Sequence, residues 1–133
     1  MSAVVAAARE QTARIARLND LARRAMGVAC TAVATGGFRS LLESDQSRVR
    51  ELIETFDAFD EDNDPYGERD FGCVYQLGDG CWTTERPHVC DDERERVFWK
   101  FDYYDRDLQF GSEDAANPAV TRRVLTIMLS DEY

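Results

Sequence analysis

Arg96-Val97-Phe98-Trp99-Lys100-Phe101-Asp102-Tyr103-Tyr104 is the stretch on which the fold turns. Strand side chains alternate between two faces, so Val97, Trp99, Phe101 and Tyr103 share one face and Phe98, Lys100, Asp102 and Tyr104 share the other. The first set reads as core. The second mixes aromatics with a charged pair, as on a sheet face that helices leave open. Working backward, Phe71 to Leu77 alternates in the same way, with Phe71, Cys73, Tyr75 and Leu77 on one face. Gly78-Asp79-Gly80 is a turn. Residues 81–93 read as an extended excursion between the two strands.

Outward from this pair the chain reads as helices and one more strand. A helix is expected over 3–26, with Ile15, Leu18, Ala22 and Ala25 at helical spacing. Arg9, Arg14, Arg17, Arg23 and Arg24 are expected on its solvent side, and Gly27 ends it. Val28 to Thr35 is small and β-branched, as in a strand, and Gly36-Gly37 breaks it. A second helix is expected to start at Ser44 or Asp45, with Val49, Leu52, Ile53 and Phe56 as its apolar stripe, extended by Phe59. Asp60 to Asp70 is a polar loop. Asn117-Pro118 reads as a cap and first-turn proline opening a last helix, with Val120, Val124, Ile127 and Met128 buried. The expected fold is therefore α+β in the order α-β-α-β-β-α. It is one domain over 1–133, a three-stranded antiparallel sheet with helices mainly on one face.

The charge is unevenly spread. Of a net −10, residues 1–50 contribute +4 and residues 51–133 contribute −14. So acidic a surface repels bare nucleic acid, whose binding needs Lys and Arg, and suits a basic protein partner instead. Acidity also aids solubility, the simpler reading that any function must beat. No apolar run is long enough to span a membrane. The Ala-Val stretch after Met1 has no basic segment before it, as a secretion signal would. A cytoplasmic location is expected, with Cys30, Cys73, Cys81 and Cys90 reduced.

Phe56-Asp57-Ala58-Phe59-Asp60-Glu61-Asp62-Asn63-Asp64-Pro65-Tyr66-Gly67-Glu68-Arg69-Asp70-Phe71-Gly72 resembles the centre of an uncharacterised bacterial family, a domain of unknown function frequent on plasmids and other mobile elements. Arg17-Leu18-Asn19-Asp20, Phe98 to Asp105 and Pro118 to Met128 fit the same pattern, so the similarity covers roughly residues 14–133. It implies membership and gene context, and brings no catalytic residues. Typical members join the strands after Phe71 by a short turn, whereas this chain inserts about ten residues around Cys81–Glu93.

Four constellations bear on chemistry. Asp62, Asp64, Gly67 and Asp70 match part of a calcium loop, but Tyr66 and Cys73 stand where two ligands are needed, and an Asx-rich turn is the better reading. Cys73, Cys81, His88 and Cys90 are the residues of a Cys₃His zinc staple without its usual short spacings; a Cys81–Cys90 disulfide does not suit a reducing compartment. Lys100, Asp102 and Asp105 would serve a metal-dependent hydrolase or nuclease, against the simpler reading of an ion pair on a sheet face. Phe98 and Tyr104, beside that pair, have the make-up of a protein interface or a homodimer face.

The leading expectation is a non-enzymatic interaction protein of mobile-element origin, without a cofactor. It would inhibit a nucleic-acid-binding host defence complex, of the anti-CRISPR or anti-restriction kind, through a DNA-mimic-like face of carboxylates. That face comprises Asp57, Asp60, Glu61, Asp62, Asp64, Glu68, Asp70, Asp91, Asp92, Glu93, Asp102, Tyr104, Asp105 and Asp107. The alternatives are the small metal-dependent hydrolase or nuclease, and a zinc-stapled accessory factor.

Overall fold

The computed structural model describes residues 2–88 and 91–133. Helix α1 spans Ala3–Arg24, strand β1 Thr31–Ala34, the short helix α2 Gly36–Arg39 and helix α3 Glu43–Thr55. Strands β2 (Phe71–Leu77), β3 (Trp82–Thr83), β4 (Glu93–Tyr104) and β5 (Arg122–Leu129) follow, closed by a 3₁₀ turn over Ser130–Glu132. The class is α+β, as expected, but the sheet has five strands in the order β1-β5-β4-β2-β3. It is mixed: β1 runs parallel to β5, and the other pairs are antiparallel.

The largest correction concerns the expected last helix, which is the strand β5 beside β4. Asn117 does cap a turn, accepting from the Ala119 amide at 2.9 Å, but the turn does not propagate. From Thr121 onward the burial alternates: Arg123, Leu125 and Ile127 are buried while Val124 and Thr126 are half-buried. Val120 is exposed. An apolar run rich in Val, Thr and Ile fits a pleated, half-covered surface as readily as a helix stripe, and pairing with both β4 and β1 decides the outcome. Among the described residues β1 bonds to β5 alone, and runs parallel to it, so the sheet is not purely antiparallel.

Smaller corrections follow from local bonding. Gly36-Gly37 starts α2, because Thr35 caps it and the Glu132 carboxylate accepts from the Gly37 amide at 3.0 Å. A Cβ on Gly37 would sit 2.5 Å from that carboxylate. Neither Ser44 nor Asp45 caps α3, whose N-cap position is Leu42 with no side-chain bond. Asp45 instead accepts the Trp82 indole N–H at 3.0 Å. The excursion therefore contains a strand, and Trp82 is buried in the core.

That core lies between the sheet and α1–α3. It holds Phe38, Val49, Ile53, Val74, Val97, Trp99, Leu125 and Ile127, all at 2% exposure or less. Arg96–Tyr104 behaves as its alternation predicts, with Val97, Trp99 and Phe101 inward. The helices cover one face only. On the other, Phe71, Phe98 and Tyr133 form an aromatic cluster with centroids 5.1 to 6.0 Å apart.

Candidate functional site

The inner face of α1 is polar where a helix of this kind is ordinarily apolar. Asn19, Asp20 and Arg23 are buried beside Ile15, Ala16 and Ala22. Arg23, expected in solvent, has no exposed surface. Its guanidinium bonds Asp20 Oδ1 at 2.7 Å and donates to the Ile53 and Phe56 carbonyls at the end of α3, at 2.8 and 2.6 Å. The same cation faces the rings of Phe59 and Trp99. Burial lowers its pKa, and the Asp20 bond works against that shift.

Asn19 serves a second half of the network. Its amide donates to the Glu68 carbonyl at 3.0 Å and to Tyr103 Oη at 2.8 Å, and its oxygen accepts from Arg123 Nε at 2.9 Å. Arg123 also donates to the Ala115 carbonyl. Tyr103 Oη in turn donates to the Glu68 carboxylate at 2.9 Å. Asp20 Oδ2 accepts from Arg69 at 2.7 Å. Through these bonds α1 holds both the end of α3 and the Glu68–Arg69 end of the acidic loop.

The loop is also rigid in its own bonding. Asp60 Oδ1 accepts from the amides of Asp62 and Asn63, each at 2.9 Å, and Asn63 Oδ1 accepts from the Asp60 amide at 2.9 Å. Asp64 Oδ1 accepts from the Arg69 amide at 3.0 Å, holding Arg69 at a positive φ of 55°. This is an Asx-rich turn, the preferred reading of Asp62, Asp64, Gly67 and Asp70. Asp57, Glu61 and Asp62 are exposed, and among the described residues no ion pair reaches them.

The expected acidic face divides into two groups. Asp70 is half-buried beside Glu68, Asp64 and Asp102; burial first, then those like charges, raise its pKa. The Asp60–Asp70 loop and Asp102 thus share one end of the sheet, where Asp64, Asp70, Phe71 and Asp102 line a single depression with Lys100 and Tyr133. Glu93 pairs with Leu77 at the other end of β2, whose far residue Phe71 pairs with Lys100. Six strand steps place Asp91, Asp92 and Glu93 roughly 20 Å away. Glu93 is spent on Arg96 at 2.9 Å, and Asp91 accepts from the His88 amide at 2.8 Å. Tyr104 is half-buried at the end of β4, and Asp107 is exposed in the turn beyond it.

Lys100 and Asp102 form an ion pair at 3.0 Å along one strand, which raises the Lys100 pKa. Asp105 lies beyond β4 and accepts from the Gln109 amide at 3.0 Å. Cys73 is half-buried in β2, its pKa pushed up to about 11 chiefly by burial, while Cys81 is exposed after the turn. Cys90, and with it the Cys81–Cys90 pairing, lies outside the described residues. Among the described residues no three His, Cys, Asp or Glu side chains come together as a metal-holding group.

A groove of about 760 Å³ runs along the outer edge of β2. Asp60, Asp62 and Pro65 form one wall, Thr84, Glu85 and Arg86 the other, and Phe71 and Cys73 the floor. Sequence reading did not find this groove, because it depends on where β3 stops. The buried polar network left one trace in the sequence: Asn19, Asp20 and Arg23 sit at the spacing of the apolar stripe.

Fold and surface define an α+β protein with one helix-covered sheet face and an acidic loop pinned at one end. Residues 34–132 match the family described as "Protein of unknown function (DUF3768)", and the chain belongs to that family. No curated protein and no solved structure matches it. No helix among the described residues is long and apolar enough to cross a membrane.

Proposed function

We propose that this is a non-catalytic binding protein that engages a basic protein surface through the Asp57–Asp70 loop and the adjoining Asp102 end of the sheet. One observation carries the reading. A loop rich in carboxylates is held by its own Asx bonds and by the buried network on α1, yet among the described residues Asp57, Glu61 and Asp62 spend no side-chain bond on the fold. Fixed, unneutralised carboxylates are already organised to meet Lys and Arg, so less ordering cost attends binding. The partner class this suits is a nucleic-acid-binding complex, with carboxylates standing where phosphates would lie. Inhibition of a host defence complex, in keeping with a mobile-element setting, is the biological form of that proposal.

The positions to change are Glu61 and Asp62, since Asp60 and Asp64 hold the loop together. Partners captured from the native host at low and moderate salt supply the binding assay. The Glu61→Lys/Asp62→Lys protein is expected to bind such a partner at least about tenfold more weakly at low salt, with the difference shrinking as salt rises. Unchanged affinity for a verified partner sinks the proposal.

A further inference from the structure

We infer that the outer edge of β2 receives an extended, basic segment of the partner as an added strand, a proposal that rests on the acidic-surface reading and gives it a binding mode. Hydrogen-bond parity is the starting point. The Phe101 amide donates to the Asp70 carbonyl at 2.8 Å, so Asp70 and Phe101 face each other through their backbone groups. With β2 and β4 in antiparallel register, the next residues to bond toward β4 are Gly72, Val74 and Gln76. Phe71, Cys73 and Tyr75 therefore turn their amides and carbonyls to the opposite edge.

On that edge β3 satisfies only the far half of β2. It pairs at Tyr75↔Thr83 and Gln76↔Trp82, and the Leu77 amide bonds the Cys81 carbonyl at 2.9 Å. Continuing β3 would bring Glu85 opposite Cys73. Instead Thr83 Oγ1 accepts from the Glu85 amide at 3.1 Å, a side-chain turn that bends the chain away, and Pro87 follows. The amides and carbonyls of Phe71 and Cys73 are left without a protein partner among the described residues. They line the groove described above.

An open edge of this kind is a template for another strand unless something blunts it. Here it is recessed between two walls, which shields it from flat edge-to-edge pairing yet leaves room for a single strand of a few residues. The walls select the occupant by charge. Asp60, Asp62 and Glu85 outnumber Arg86, so Lys or Arg side chains are favoured beside the strand. Half-buried Phe71, Cys73 and Tyr75 favour apolar side chains on the alternate positions. Backbone bonds would supply affinity and the alternation specificity, as in other strand-addition sites.

The test uses the full chain and a synthetic capped peptide of alternating Lys and Val, with two N-methylated versions. One carries methyl groups on the odd-numbered amides and the other on the even-numbered. Strand addition predicts shifts of the Phe71 and Cys73 amide signals in nuclear magnetic resonance spectra. It also predicts that one methylation parity abolishes binding while the other leaves it within about twofold. A Cys73→Pro protein should lose binding. Proline at that edge position removes only the outward amide, and thermal melting checks that it folds.

Salt-sensitive peptide binding with equal loss from both parities overturns strand addition and leaves the acidic-surface reading standing. Parity-dependent binding that ignores both salt and Glu61→Lys/Asp62→Lys supports the added strand and counts against the acidic reading. Absence of any shift at Phe71 and Cys73 at about 1 mM peptide overturns the inference. So does a shift of the same amides with protein concentration alone, since the occupant would then be a second copy.

Discussion

Asp20 shows how much one carboxylate does in this molecule. Its two oxygens hold Arg23, which has no exposed surface, and Arg69, which anchors the acidic loop. Removing one partner of a buried pair leaves the other charge without compensation in a region of low polarity. Asp20→Ala should therefore cost about 3–5 kcal/mol of unfolding free energy, read from urea denaturation. A loss below about 1 kcal/mol would mean that the Ile53 and Phe56 carbonyls and the facing rings satisfy Arg23 alone. Asp70 makes the opposite case. Its folded-state pKa lies above its unfolded value, so ionisation is harder in the folded protein and stability falls as pH rises through the folded pKa. Asp70→Asn should stabilise the protein at neutral pH, and the gain should vanish below the ordinary aspartate range. A gain that persists at pH about 3 would contradict the electrostatic origin.

At the scale of elements, the excursion between β2 and β4 is fastened by Trp82. Its ring is buried in the core and its indole N–H bonds Asp45 in the first turn of α3. Trp82→Ala should destabilise the fold by about 3–5 kcal/mol. Because β3 ends at Thr83, the same change should loosen the pairing opposite Tyr75 and speed amide exchange at Leu77, which bonds the Cys81 carbonyl. If Leu77 exchange is unchanged in a folded Trp82→Ala protein, the anchor is not what holds β3. The residues that follow β3, Thr84 to Arg86, also build a wall of the groove.

Across the whole molecule the charge balance is more lopsided at the surface than the composition shows. Among the described residues Arg23 and Arg123 are buried against one buried acid, Asp20, so one more positive than negative charge is withdrawn from the exterior. With a net charge of −10 the compact state repels itself, and added salt should relieve that repulsion. Melting temperature should rise between about 0.01 M and about 0.5 M sodium chloride at neutral pH. A fall would show that surface ion pairs outweigh the repulsion.

Strand alternation at Arg96–Tyr104 and Phe71–Leu77, the helical stripe of α3 and the Asx chemistry of Asp60–Asp70 were all legible in the chain, because each depends on neighbours a few residues away. The segment Thr121–Leu129 was not. Its apolar spacing satisfies a helix and a strand alike, and only the vacancy between β1 and β4 chooses the strand. Arg23 reads as a solvent position, since the Ile53 and Phe56 carbonyls that receive its buried guanidinium lie 30 and 33 residues away. The acidic character of residues 51–133 was a property of the sequence by itself. Tertiary structure alone decided that Asp60–Asp70 and Asp102 meet at one end, that Asp91–Glu93 lie at the other, and that an open strand edge runs between acidic walls. Charge is additive along a chain, whereas position on a surface is set by register and by where each strand stops.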